Sequence, residues 1–182
     1  MSDMDQDEID AFWEDAKVRA GLNPARSFAG PNVADSVPPP AWSFGAGPQE
    51  ADELLGLVLA GRKTATASSA WDYEVAGEDP PTSGELSIVL DGAGHPRALI
   101  RTVEVRIVPF AEVDAAHAYA EGEGDRSLDH WRAVHRSFFT EHAEHDRFAD
   151  GVFDERMPVV LERFEVLVPV ALRPGSPRMF GR

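Results

Sequence analysis

The chain has 182 residues, 43% hydrophobic and 27% charged, the make-up of a single soluble domain with extensions and enough apolar material for a real core. Its formal net charge is −15. A field of that sign repels phosphate backbones and argues against sequence-blind binding to duplex DNA. Cysteine is absent, which excludes disulfides, thiolate metal sites and a cysteine nucleophile.

The acidic start carries no basic region followed by an apolar run, and no apolar stretch reaches membrane-spanning length. The expectation is a cytoplasmic protein with no membrane partner. In chain order, Ile9, Phe12, Trp13 and Ala16 recur at helical spacing, with Asp7 and Glu8 favouring the first turn and Gly21 closing the helix. Residues 1–6 are expected to fray. Asn23-Pro24 and Pro38-Pro39-Pro40 mark a loop, with Trp42 and Phe44 as its anchors. Residues 1–41 thus form an N-terminal helix and proline-rich loop packing on a domain at 42–170, and 171–182 form a disordered tail.

Pro48 after Gly47 opens a second helix, in which Ala51, Leu54, Leu55, Val58 and Leu59 make a wide apolar face and Gly61 ends it. A short strand is expected over 63–67, and a loop over 71–83 around Pro80-Pro81. Trp71 and Tyr73 are packing anchors or stacking groups in that loop. Residues 85–90 and 96–108 form a hairpin turned at 91–94. Leu99, Val103, Val105 and Ile107 share one phase of the long strand, and Arg101 falls among them. In the last strand, 159–168, Glu162 shares a face with Val160, Phe164, Val166 and Val168. Either Arg101 and Glu162 satisfy each other inside, or they line a cleft, or a bulge shifts the phase. A short helix over 114–121 precedes an alternation of carboxylate and glycine, Glu121-Gly122-Glu123-Gly124-Asp125. Ser127 then caps a helix to His142 with Leu128, Trp131, Val134, Phe138 and Phe139 as its stripe.

Chemistry concentrates in three places. The chain holds two lysines, Lys17 and Lys63, against fifteen arginines. A lysine beside Arg62 hints at a compact ammonium with a tunable pKa. Glu121, Glu123 and Asp125 lie on one side if their loop is extended, where like charges raise one another's pKa. His142 and His145 have a spacing seen at metal sites but lack a thiolate partner, and no metal or cofactor is expected. Of His130 and His135, one is expected to be a half-buried packing group. Phosphate-binding glycine loops and the Gly-x-Ser-x-Gly elbow are absent.

Residues 51–68, Ala-Asp-Glu-Leu-Leu-Gly-Leu-Val-Leu-Ala-Gly-Arg-Lys-Thr-Ala-Thr-Ala-Ser, resemble the signature helix and strand of the ASCH domain. Residues 87–110, ending in Glu-Val-Arg-Ile-Val-Pro-Phe, resemble its central strands. The blocks Ala-Tyr-Ala-Glu-Gly-Glu-Gly-Asp-Arg-Ser-Leu-Asp-His-Trp-Arg at 118–132 and Met-Pro-Val-Val-Leu-Glu-Arg-Phe at 157–164 resemble later ones. The resemblance implies an α+β fold: a PUA-like β-barrel of about five to six strands with flanking helices, here with an extra N-terminal helix. It also implies a cleft for RNA or a modified nucleoside. In small bacterial relatives that hydrolyse N4-acetylcytidine, a lysine, a threonine and a glutamate act together, matching Lys63, Thr66 and Glu123. A neutral Lys63 would take the Thr66 proton and Glu123 would protonate the departing amine. On one strand, Lys63 and Thr66 would point to opposite faces, a difficulty that a bend must relieve. Arg62, Trp71, Arg101, Tyr119, Glu121 and Arg126 are the expected ligand-binding residues. The alternatives are a non-catalytic RNA- or nucleotide-binding module and a ribonuclease.

Overall fold

A computed structural model describes residues 3–22, 37–142 and 152–169. The expected tail, His145 and most of the proline-rich loop fall outside the described residues. Five strands form one mixed sheet in the order β1-β3-β4-β5-β2: β1 Ala41–Trp42, β2 Ala65–Ser69, β3 Leu86–Leu90, β4 Pro96–Pro109 and β5 Pro158–Val168. β1 pairs parallel with β3, and the remaining pairs are antiparallel. The class is α+β with barrel-like curvature, as expected. No ladder joins β1 to β2 among the described residues, so the sheet is not closed by hydrogen bonds.

Among the described residues five α-helices flank it: α1 Asp3–Arg19, α2 Pro48–Leu59, α3 Ala70–Ala76, α4 Ala115–Glu121 and α5 Leu128–His142. α1 starts earlier than its apolar pattern does, because acidic residues near a helix N-terminus favour the first turn. It lays Ile9, Trp13 and Ala16 over Ile88, Leu99 and Val168 on one face of the sheet. Two further cores lie on opposite sides of β5, because Phe164 and the pair Val159 and Leu161 fall on opposite phases of that strand. In one, Phe44, Leu55 and Val58 pack on Val89, Ala98, Ile100 and Phe164. In the other, Phe110, Trp131 and Phe139 pack on Met157, Val159 and Leu161. Residues of both cores, Phe44 from the first and Ala67 and Phe138 from the second, line the cavities.

Two local readings change. Residues 70–76, expected as loop, are helix α3: Ser69 caps it by accepting from the Trp71 amide at 3.2 Å, and Gly77 closes it at φ +69°. A seven-residue helix held by its caps shows too little periodicity to be read. Arg101 and Glu162 do not meet. The β4–β5 register shifts between Leu99 and Ile100 and again between Thr102 and Glu104. Arg101 keeps the phase of Leu99 and pairs with Glu165 opposite it, and Glu162 stands opposite Val105. The extra residue at Val103 moves Val105 and Ile107 to the other phase, with Val103 and Ile107 exposed.

Candidate functional site

The turn after α2 sets the geometry. The amide of Gly61 donates to the Val58 carbonyl at 2.9 Å, and that of Arg62 to Leu57 at 2.8 Å, with Gly61 at φ +69°. This is a Schellman cap, and it reverses the chain before β2 begins. Lys63 therefore belongs to the helix cap, its amide still bonded to the Leu57 carbonyl at 3.1 Å, and Thr66 to the strand. Strand parity does not apply between them, and both side chains line one cavity. Thr64 then ties the segment down: its amide donates to the Ala120 carbonyl at 2.8 Å and its own carbonyl accepts from Phe164 at 3.0 Å.

Lys63 is 1% exposed. Its Nζ donates to Glu121 Oε2 at 3.0 Å and to Glu123 Oε1 at 2.7 Å, and it lies 5.4 Å from the centre of the Phe44 ring. Burial pulls the ammonium's pKa down, but Glu121 and Glu123 together outweigh it and hold the value above the ordinary lysine range. Lys63 is thus a cation in the resting protein. The expected neutral Lys63 base does not match this state, because two carboxylates surround it and Arg62 points elsewhere.

Glu121 is the hub. Burial would raise its pKa, yet Lys63 and His135, with the His117 hydrogen bond, carry it well below the usual carboxylate value. Its Oε1 accepts from Trp131 Nε1 at 2.7 Å and faces His117 Nε2 at 2.9 Å, while His135 Nε2 lies at 3.6 Å. A carboxylate can only accept, so His117 carries its proton on Nε2. Its Nδ1 is buried without a partner among the described residues. The pKa rise expected in this acidic run is absent at Glu121 and Asp125, both of which are lowered, for two reasons. Lys63 sits between Glu121 and Glu123, and exposed Asp125 turns away, its pKa lowered by hydrogen bonds from Ser127.

Gly122 at φ +76° ends α4, and a Cβ there would lie 2.4 Å from the Arg62 carbonyl oxygen. That close approach lets Arg62 donate to the carbonyls of Gly122 and Gly124, both at 2.6 Å, so Arg62 fixes the loop that carries Glu123. Arg126 stacks over exposed Tyr119, 4.7 Å from the ring centre. Trp71 packs at the edge of the Phe110–Trp131 core. Among the expected site residues, Lys63, Thr66, Glu121 and Glu123 come together around one cavity, whereas Arg62, Trp71, Arg101, Tyr119 and Arg126 do not line it.

This inner cavity is small, about 60 Å³, and Leu54, His135 and Phe138 also line it. A wider groove of about 410 Å³ shares Phe44, Thr66, Ala67 and Phe138 with it, so Thr66 stands on the boundary. Trp42 and Tyr73 are among the groove's ring walls, and Ser68 and Glu162 its polar ones. That volume falls within the range of small-molecule sites, roughly 300–1,000 Å³. Glu162 is 7% exposed and accepts from Thr102 Oγ1 at 2.6 Å, and burial pushes its pKa up. His117 and the Trp131 hydrogen bond were missed from the sequence. The signal was there, since His117 and Glu121 sit four apart on α4 and a buried tryptophan N–H needs an acceptor.

The ASCH domain family model matches residues 40–168. The chain belongs to the ASCH domain family. A crystal structure of a protein from Enterococcus faecalis V583 is 32% identical, with 88% of each chain covered and a TM-score of 0.73. The ASCH domain from Lactobacillus crispatus JV V101 is 30% identical, covering 82% of this chain and 94% of its own, with a TM-score of 0.66. No curated protein matches the sequence. This ASCH protein has no helix among the described residues long and apolar enough to cross a membrane.

Proposed function

We propose that this ASCH protein binds the base of a modified nucleoside, free or in a single RNA strand, in the wide groove and hydrolyses an acyl amide on it in the inner cavity. The observation that carries this reading is the convergence of Lys63, Thr66 and Glu123 on one cavity that adjoins a groove with aromatic walls. The charge state exchanges the roles expected from the resemblance. Glu123, at the mouth with its side chain 21% exposed, is the base, and the Lys63 ammonium is the electrophile.

Thr66 Oγ1 attacks the acyl carbon while Glu123 takes its proton, and the Lys63 ammonium donates to the oxyanion that forms. The C–N bond breaks as Glu123 returns the proton to the amine. Water cleaves the acyl–threonine ester by the same route, releasing the acid and restoring the hydroxyl. The inner cavity, about twice the liquid volume share of one water molecule, suits a small acyl group.

The test is acetate release from N4-acetylcytidine. Glu123→Gln should lower kcat by about a hundredfold or more, the usual worth of a positioned acid–base. Thr66→Val should abolish turnover while substrate still binds. Tight binding with no acetate from the wild-type protein would favour a non-catalytic module, and turnover untouched by Glu123→Gln would remove the mechanism.

A further inference from the structure

The groove beside the inner cavity has a chemistry of its own. Asp72, Glu78, Asp79, Glu85 and Glu162 line it, and no lysine, arginine or histidine does among the described residues. The cations expected to meet a phosphate are engaged elsewhere: Arg101 with Glu165 on the outside of the sheet, and Arg126 over Tyr119. A phosphate in this groove would meet several lining carboxylates and no lining cation among the described residues, and such repulsion reaches over a Debye length of about 8 Å at physiological salt. The net charge of −15 acts in the same direction.

Glu162 gives the groove a preference as well as an exclusion. Its register opposite Thr66 on β2 puts it beside the boundary residue of the inner cavity. Thr102 occupies its Oε1, and no protein group bonds Oε2 among the described residues. Glu162 lines the groove with Oε2 left to accept from a ligand, and an N–H on the edge of a flat ring would bond it. Ser68, bonded to Tyr73 at 3.2 Å, lines the groove beside it. The aromatic walls supply the stacking surface that such a ring needs.

Building on the functional reading above, we infer that the groove is a phosphate-excluding base pocket with Glu162 as its specificity-determining residue. Its ligand is a free nucleoside or base presenting N–H donors, not a nucleotide or an RNA strand. The exposed lining carboxylates, Asp79 and Glu85, act as the barrier to phosphate, and Glu162 reads the ring edge.

Binding is measured by calorimetry on the full chain, with Thr66→Val to prevent turnover. The probes are cytidine, adenosine, N4-acetylcytidine, N4-acetylcytidine 5′-monophosphate and a short single-stranded RNA carrying the acetylated base. At low salt a nucleoside should bind at least about tenfold more tightly than the monophosphate and the RNA. That ratio should shrink at 1 M salt, where the Debye length is about 3 Å, and in an Asp79→Asn, Glu85→Gln double variant. Glu162→Gln, which still accepts from Thr102, should weaken the best-bound nucleoside about tenfold with a melting temperature no lower than that of the wild type. Equal or tighter binding of the monophosphate or RNA overturns the inference, as does failure of every nucleoside to bind at millimolar concentration. Nucleoside preference without acetate release from the wild-type protein upholds this inference and breaks the hydrolytic one.

Discussion

Glu121 and Glu162 are both carboxylates buried to more than nine-tenths, and their surroundings drive them in opposite directions. Glu121 is surrounded by Lys63, Trp131, His117 and His135, and the opposite charge and N–H donors overcome its desolvation. Glu162 has one neutral hydroxyl partner, and desolvation wins. Burial alone therefore does not decide what a carboxylate does. The number and charge of the donors around it decide, and here they leave one acid closed off as a structural hub and the other open to a ligand.

The largest effect should come from breaking the closed site. Lys63→Met leaves Glu121 buried without its countercharge and should cost about 3–5 kcal/mol in urea denaturation, the usual penalty for halving a buried pair. A loss below about 1 kcal/mol would mean that the pair is solvated. Next is Trp131→Phe, which keeps a ring beside Phe110 but removes the N–H at 2.7 Å from Glu121. It should cost about 1.5–3 kcal/mol, the range for a hydrogen bond to a charged group.

The smallest effect concerns Glu162 and is read in the pH dependence. Its pKa is raised in the folded chain, so its contribution is full below the unfolded value of about 4.3 and is lost as pH rises through the folded value. Glu121 has the reverse sign: its contribution is present above the unfolded value and is lost as pH falls through the lowered folded one. Glu162→Gln should therefore remove a decline in stability on the alkaline side of about pH 4.3 and leave the acid limb intact. An unchanged profile would mean that Glu162 is well hydrated.

The same contrast explains what could be read from the sequence. α2 and α5 announced themselves through apolar periodicity and clear end signals, Pro48 and Gly61 for the first and Ser127 for the second. The convergence of Lys63, Thr66 and Glu123 came from motif resemblance alone, since nothing in composition ties residue 63 to residue 123. The relation between Lys63 and Thr66 could not be read, because it depends on where the Schellman cap ends and β2 begins. Nor could Lys63's charge, which is the balance of burial against two carboxylates arriving from α4 and its following loop. The shared phase expected for Leu99, Val105 and Ile107 misled because the bulge at Val103 is a backbone event with no side-chain signature on β4.

The central claim is that Lys63 is an ammonium clamped by Glu121 and Glu123, and the composition makes it directly measurable. With only Lys17 and Lys63 in the chain, selective isotope labelling of lysine yields two side-chain NMR signals to follow against pH. Lys63 should remain protonated past the ordinary lysine value of about 10.4, and Glu121→Gln should move its midpoint down. A Lys63 signal that titrates near neutral pH would contradict the account and return the role of base to the lysine.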